Sequence, residues 1–119
     1  LRRPRAAAGD GAAAAEAVFR FGTGAGAVEI DRAARLVRRA GEEVHLTPTE
    51  YRLLSVLVAN AGRVLTQRQL LREVWGPAHS GQSHYLRVYM GHLRTKLEVD
   101  PAQPQHLLTE TAVGYRLVA

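Results

Sequence analysis

The chain has 119 residues, 46% of them hydrophobic, and no cysteine, so it can bury one ordinary core and excludes disulfide frameworks and cysteine-based metal sites. Nothing in it approaches the ~20 apolar residues of a membrane helix, and Leu1-Arg2-Arg3-Pro4 does not open a signal peptide, so a soluble cytoplasmic domain without a membrane partner is expected. The formal net charge of +5 favours a polyanionic partner such as nucleic acid, but the position of the charges matters more than their sum.

Residues 1–17 carry Arg2, Arg3 and Arg5 and then mostly Ala and Gly, with no apolar period. They read as an interdomain linker or a basic arm, and residues 18–119 as the folded domain. Short β-prone runs follow at Val18-Phe19-Arg20-Phe21, Val28-Glu29-Ile30-Asp31, Leu36-Val37-Arg38-Arg39 and Glu43-Val44-His45-Leu46, with a hairpin turn at Ala40-Gly41-Glu42. They predict a small antiparallel meander. Gly22, Gly24 and Gly26 lack the strand-then-helix context of a dinucleotide loop and read as a turn.

At Thr47 the period changes. Thr47 can cap a helix, Pro48 suits its first position, and Glu50 can reach back to the cap amide. Leu53, Leu54, Leu57, Val58 and Ala61 then form one face. Thr66-Gln67-Arg68-Gln69 repeats the same logic for a second helix lined by Leu70, Leu71, Val74 and Trp75 and ended by Gly76-Pro77. After a polar loop to Gln82, a third helix is predicted from about Ser83 to Leu97, with Ser83 a better cap than Ser80. Leu86, Met90, Leu93 and Leu97 form its buried stripe. The chain closes on a hairpin between His106–Glu110 and Tyr115–Val118.

Two capped helices, a third amphipathic helix and a terminal hairpin predict an α+β winged helix-turn-helix. The third helix would sit in the major groove, with the wing near the minor groove. On that helix His84, Arg87, Val88, Gly91, His92 and Thr95 point away from the stripe, with Arg94 and Lys96 on its flanks. Ser83 to Leu97 holds three basic residues and no Asp or Glu, which suits phosphates and base edges. Arg87 can pair with guanine or a phosphate, His84 and His92 can donate or accept at base edges, and Val88 can meet a thymine methyl. Gly91 admits either close approach to a partner or crowding against a neighbouring element. In the wing, Thr109 and Thr111 can bond phosphates or merely be β-formers, and Arg116 can meet DNA or pair within the domain. Trp75 reads as core, or as a phosphate donor if exposed. His84 and His92 are eight residues apart, not the spacing of a helical zinc pair. His79 adds no better geometry, so no metal or other cofactor is expected, and no catalytic set supports an enzyme.

The segments Leu46-Thr47-Pro48-Thr49-Glu50-Tyr51-Arg52-Leu53-Leu54, Arg63-Val64-Leu65-Thr66, Leu71 to Gly76 and Gly114-Tyr115-Arg116-Leu117 resemble the effector domain of OmpR/PhoB-type response regulators. The run from Ser83 to Arg94, with Lys96-Leu97-Glu98 and Thr109-Glu110-Thr111, is similar to the branch of that family governing potassium uptake. The resemblance implies a four-stranded N-terminal sheet, three helices and a C-terminal hairpin. It also implies a receiver domain phosphorylated through a sensor kinase, a tandem homodimer on direct repeats of double-stranded DNA, and contact with RNA polymerase near the Gly76–Gln82 loop. It carries base-facing roles onto His84, Val88, Gly91 and His92, phosphate or base contacts onto Arg87 and Arg94, and backbone contacts onto Trp75 and Thr109. Many relatives carry arginine where Gly91, His92 and Thr111 stand. The competing expectation is a winged-helix module that binds protein.

Overall fold

Alternating side chains bury one face of the first half of the chain: Val28 and Ile30 are fully inaccessible while Glu29 and Asp31 between and beside them are not. In the computed structural model, which describes residues 18–79 and 83–119 except the side chains of Ala25 and His79, this produces a four-stranded antiparallel sheet. Its strands are β1 (Val18–Phe21), β2 (Val28–Asp31), β3 (Leu36–Arg39) and β4 (Glu42–Glu43), in that spatial order. Phe19 lies opposite Ile30, and Ile30 opposite Val37, so the apolar positions stack on one side. Ala40 and Gly41, with φ of 53° and 83°, form the two-residue turn between β3 and β4. Positive φ at both turn positions matches the twist of the flanking strands.

The strand expected over Glu43–Leu46 is shorter than predicted. Val44 N still donates to Val37 O at 2.7 Å, but β4 ends at Glu43. Val44 and Leu46 instead pack against the core as the chain turns into the cap of the first helix.

Helix α1 (Pro48–Ala59) begins with both halves of its capping box formed. Glu50 N donates to Thr47 Oγ1 at 3.3 Å, and Thr47 N donates to Glu50 Oε1 at 3.0 Å. Leu53, Leu54, Leu57 and Val58 are buried. Ala61 does not join them. The helix stops at Ala59, where Asn60 Nδ2 bonds Val56 O and Gly62 adopts a φ of 85°, leaving Ala61 exposed. Helix α2 (Gln67–Val74) repeats the box through Thr66 and Gln69 at 2.9 and 3.0 Å and buries Leu70, Leu71 and Val74.

Helix α3 (Ser83–Leu97) buries Leu86, Met90, Leu93 and Leu97, each at most 1% exposed. Ser83 is its first helical residue rather than its cap. The cap position and Ser80 lie outside the described residues, as do residues 1–17 and the end of the Gly76–Gln82 loop. Strands β5 (Leu65–Thr66), β6 (Leu107–Glu110) and β7 (Gly114–Leu117) form a second sheet in the order β5-β7-β6. Leu65-Thr66 thus supplies the wing's third strand, Leu65 opposite Tyr115 and Thr66 opposite Gly114. Gly114 is what permits this pairing: a Cβ there would strike the Leu65 carbonyl oxygen. One continuous core joins both sheets and all three helices.

Candidate nucleic-acid interface

The stripe that anchors α3 also decides which side chains it leaves outside. At 100° per residue, burying Leu86, Met90, Leu93 and Leu97 turns His84, Arg87, Val88, Gly91, His92 and Thr95 outward, and all six are exposed. Val88 is half exposed, an apolar side chain with nothing of its own to cover it. Arg87 makes no hydrogen bond or ion pair among the described residues, so its guanidinium is available to a partner. A Cβ built on Gly91 would meet nothing within 4 Å. Crowding by a neighbouring element therefore does not account for this glycine.

The two flanking cations are held differently. Arg94 Nε donates to Leu107 O at 2.9 Å and its Nη2 donates to Thr109 Oγ1 at 2.7 Å, tying α3 to the first wing strand. Its guanidinium also lies 5.7 Å from the centre of the Tyr115 ring. Burial lowers the Arg94 pKa, with Tyr115 and Glu98 pulling the other way. Lys96 Nζ donates to His45 O at 3.0 Å and to Glu50 Oε1 at 2.6 Å. Of the three basic residues on the helix, two are therefore engaged in holding it in place.

Glu50 is the centre of that arrangement. It is 3% exposed, yet it serves the α1 cap, Lys96 and His92 together, with Oε2 at 3.2 Å from His92 Nδ1. Burial opposes its charge, but the Lys96 hydrogen bond, the Thr47 amide and the nearby Lys96 and His92 outweigh it and hold the carboxyl below the usual range. Sequence reading found the capping role, but its ties to α3 span more than forty residues and leave no local signal.

Aromatic rings complete the underside. Trp75 is partly buried and packs edge-on to Tyr89, with ring centroids 5.3 Å apart, and lies 6.4 Å from Tyr85. Tyr85 in turn lies 4.4 Å from His84, and Tyr89 lies 5.3 Å from His92. Both tyrosines precede a buried position of the stripe, Leu86 and Met90, and so sit at its edge beside the outward face.

In the wing, Thr111 and Val113 are exposed at the tip. Thr109 is exposed but already accepts from Arg94, and Arg116 pairs with Glu110 at 2.7 Å. The pairing alternative for Arg116 is therefore the observed one. A further buried carboxylate, Glu98, accepts from the amides of Gln105, His106 and Leu107 at 3.0, 3.0 and 2.7 Å. It fastens the end of α3 to the start of β6. Among the described residues no His, Asp or Glu cluster of metal-site size occurs, and no helix is long and apolar enough to cross a membrane.

Comparison with known proteins places this geometry. Residues 41–117 match the family described as transcriptional regulatory protein, C terminal. The KDP operon transcriptional regulatory protein KdpE of Escherichia coli is 65% identical over 91 residues, 76% of this chain and 40% of that protein. The transcriptional regulatory protein KdpE of Mycobacterium tuberculosis is 52% identical over 90 residues, again 76% and 40%. The chain thus spans about 40% of the length of the curated relatives it matches. Among solved structures, the response regulator DrrB, a Thermotoga maritima OmpR/PhoB homolog, superposes with a TM-score of 0.75 at 28% identity, covering 87% of this chain and 45% of that one. The Klebsiella pneumoniae RstA DNA-binding domain in complex with RstA box gives 0.70 at 26% identity, covering 83% and 96%. The chain belongs to the transcriptional regulatory protein C-terminal family, the winged-helix effector domains of OmpR/PhoB-type response regulators.

Proposed function

We propose that this chain is the sequence-specific DNA-binding domain of a response regulator that controls potassium-uptake genes. The observation that carries the reading is the outward face of α3: six exposed residues, no carboxylate, an Arg87 without a partner among the described residues and an open Gly91. On this reading α3 enters the major groove. His84, Val88 and His92 meet base edges, Gly91 lets the helix backbone approach, and Arg87 reaches a guanine or a phosphate. Thr95 lies at the groove rim. Arg94 and Lys96 chiefly hold the helix, each with donor capacity left for a phosphate. Trp75 and Thr109 border the DNA backbone, and Thr111 carries the wing tip toward the minor groove. Arg116 supports the hairpin from behind through Glu110.

Residues 18–119 would form the domain and residues 1–17 the linker to a receiver domain, phosphorylated in turn through a sensor kinase. The potassium assignment rests on the names of the KdpE relatives. Tandem dimerisation on direct repeats, contact with RNA polymerase and a cytoplasmic location are expected of such a regulator, which would act as a transcription factor and not as an enzyme.

A gel shift with random duplex at low salt, followed by footprinting upstream of a potassium-transport operon, tests the reading. Salt-sensitive binding with a protected direct repeat supports it. Failure to bind any duplex would refute it in favour of a protein-binding module.

A further inference from the structure

His92 lies within the exposed face of α3, with its side chain half exposed, but its ring is not free to choose its orientation. Its Nδ1 sits 3.2 Å from Glu50 Oε2, and Tyr89 packs edge-on against it. Glu50 is itself immobilised, because its other oxygen accepts from the Thr47 amide and the Lys96 ammonium. Among the described residues the imidazole's ion-pair partner is Glu50 from α1, and across that carboxylate lies Lys96 from the last turn of α3.

An ionised carboxylate can only accept, so the nitrogen facing it must carry a proton. In a neutral imidazole the other nitrogen is then bare. Deepening the DNA-binding reading, and resting on it, we propose that Glu50 is a specificity-determining positioning residue. By keeping the proton of the neutral His92 ring on Nδ1, it makes the outward Nε2 an acceptor. An acceptor in the major groove selects a base that offers an exocyclic amine there, cytosine N4 or adenine N6, over the bare acceptor edge of guanine. An untethered histidine could present either face and would not discriminate in this way.

The geometry supplies an inverting variant. In Glu50→Gln the single amide oxygen stays with its two donors, Thr47 N and Lys96 Nζ, and the NH₂ group turns to Nδ1. Nδ1 must then accept, and the ring proton moves to Nε2 by exchange with water. Glutamine also completes a capping box, so α1 keeps its start.

The test has two independent readouts. Long-range ¹H–¹⁵N correlation spectra of the free protein at mildly alkaline pH, with His92 assigned by its loss in His92→Gln, report which ring nitrogen is bare. Selection from a randomised duplex pool reports base preference position by position. The expected results are a bare Nε2 in the wild type and a protonated Nε2 in Glu50→Gln. At one base pair, preference should shift roughly three- to tenfold from adenine or cytosine toward guanine. A bare Nδ1 in the wild type overturns the proposal without any variant having to fold. So do identical ring spectra in the two proteins, or unchanged preferences when both bind. If the pool yields no enriched duplex for either protein, the DNA-binding reading fails instead, and the ring spectra still judge the tautomer.

Discussion

Replacing Gly91 with alanine separates what α3 needs as a helix from what the proposed DNA-binding reading asks of its outer face. Glycine costs a helix interior about 0.8–1.0 kcal/mol relative to alanine. A new Cβ at this position would meet nothing within 4 Å, so no steric term offsets the gain. The free protein should be stabilised by about 1 kcal/mol, raising Tm by roughly 4–8 °C for a domain of this size. On the proposed reading the same methyl would stand where the helix backbone approaches the bases, and DNA affinity should then fall about tenfold, equivalent to about 1.4 kcal/mol. Thermal and urea melts with an unchanged m-value would measure the first effect, and binding isotherms at fixed salt the second. A stability gain with unaltered affinity would refute close approach at Gly91. No gain at all would refute the premise that helix propensity is the only term in the free protein.

Arg94→Ala removes two hydrogen bonds from a cation to the wing strand and should cost about 1.5–3 kcal/mol in denaturant melts; full stability with a shallower salt slope would instead make Arg94 a phosphate contact alone. Arg87→Ala, at an exposed side chain without a partner among the described residues, should leave the melt unchanged and reduce the salt slope of binding by about one unit. Because the Glu50 carboxyl is held below its ordinary value of 4.5, its contribution is complete above that value and is lost as pH falls through the folded-state pKa. Urea midpoints measured from about pH 7 down to about pH 3 should fall more steeply for the wild type than for Glu50→Gln, and parallel curves would contradict the assignment.

The features that could be read from the sequence are those whose physics is local. Each capping box needs residues three apart, and both formed as expected through Thr47 with Glu50 and Thr66 with Gln69. The stripe from Leu86 to Leu97 needs only the helical period, and it correctly exposed His84, Arg87, Val88, Gly91, His92 and Thr95. What could not be read depends on which distant groups meet. Counting three cations on α3 overstated its free charge, because Lys96 finds Glu50 and Arg94 finds Leu107 and Thr109 only in the folded chain. No local pattern marks Glu98, because the three amides that converge on it lie seven to nine residues further along, past the helix end. The strand over Leu65-Thr66 was hidden because its two residues pair with Gly114 and Tyr115, nearly fifty positions later.

The double fastening of α3 to β6, through Arg94 at one turn and the Glu98 carboxylate at the helix end, makes helix and wing a pair of calipers with a locked joint. A locked caliper does not adjust to the duplex; the duplex must adjust to it. On the proposed reading, the groove-to-groove span would have to match the fixed opening between α3 and the Thr111 tip. Sequences that flex into that span at low cost would then be favoured at base pairs no side chain touches. Loosening either fastening should therefore blur sequence preference at those untouched pairs before it abolishes binding.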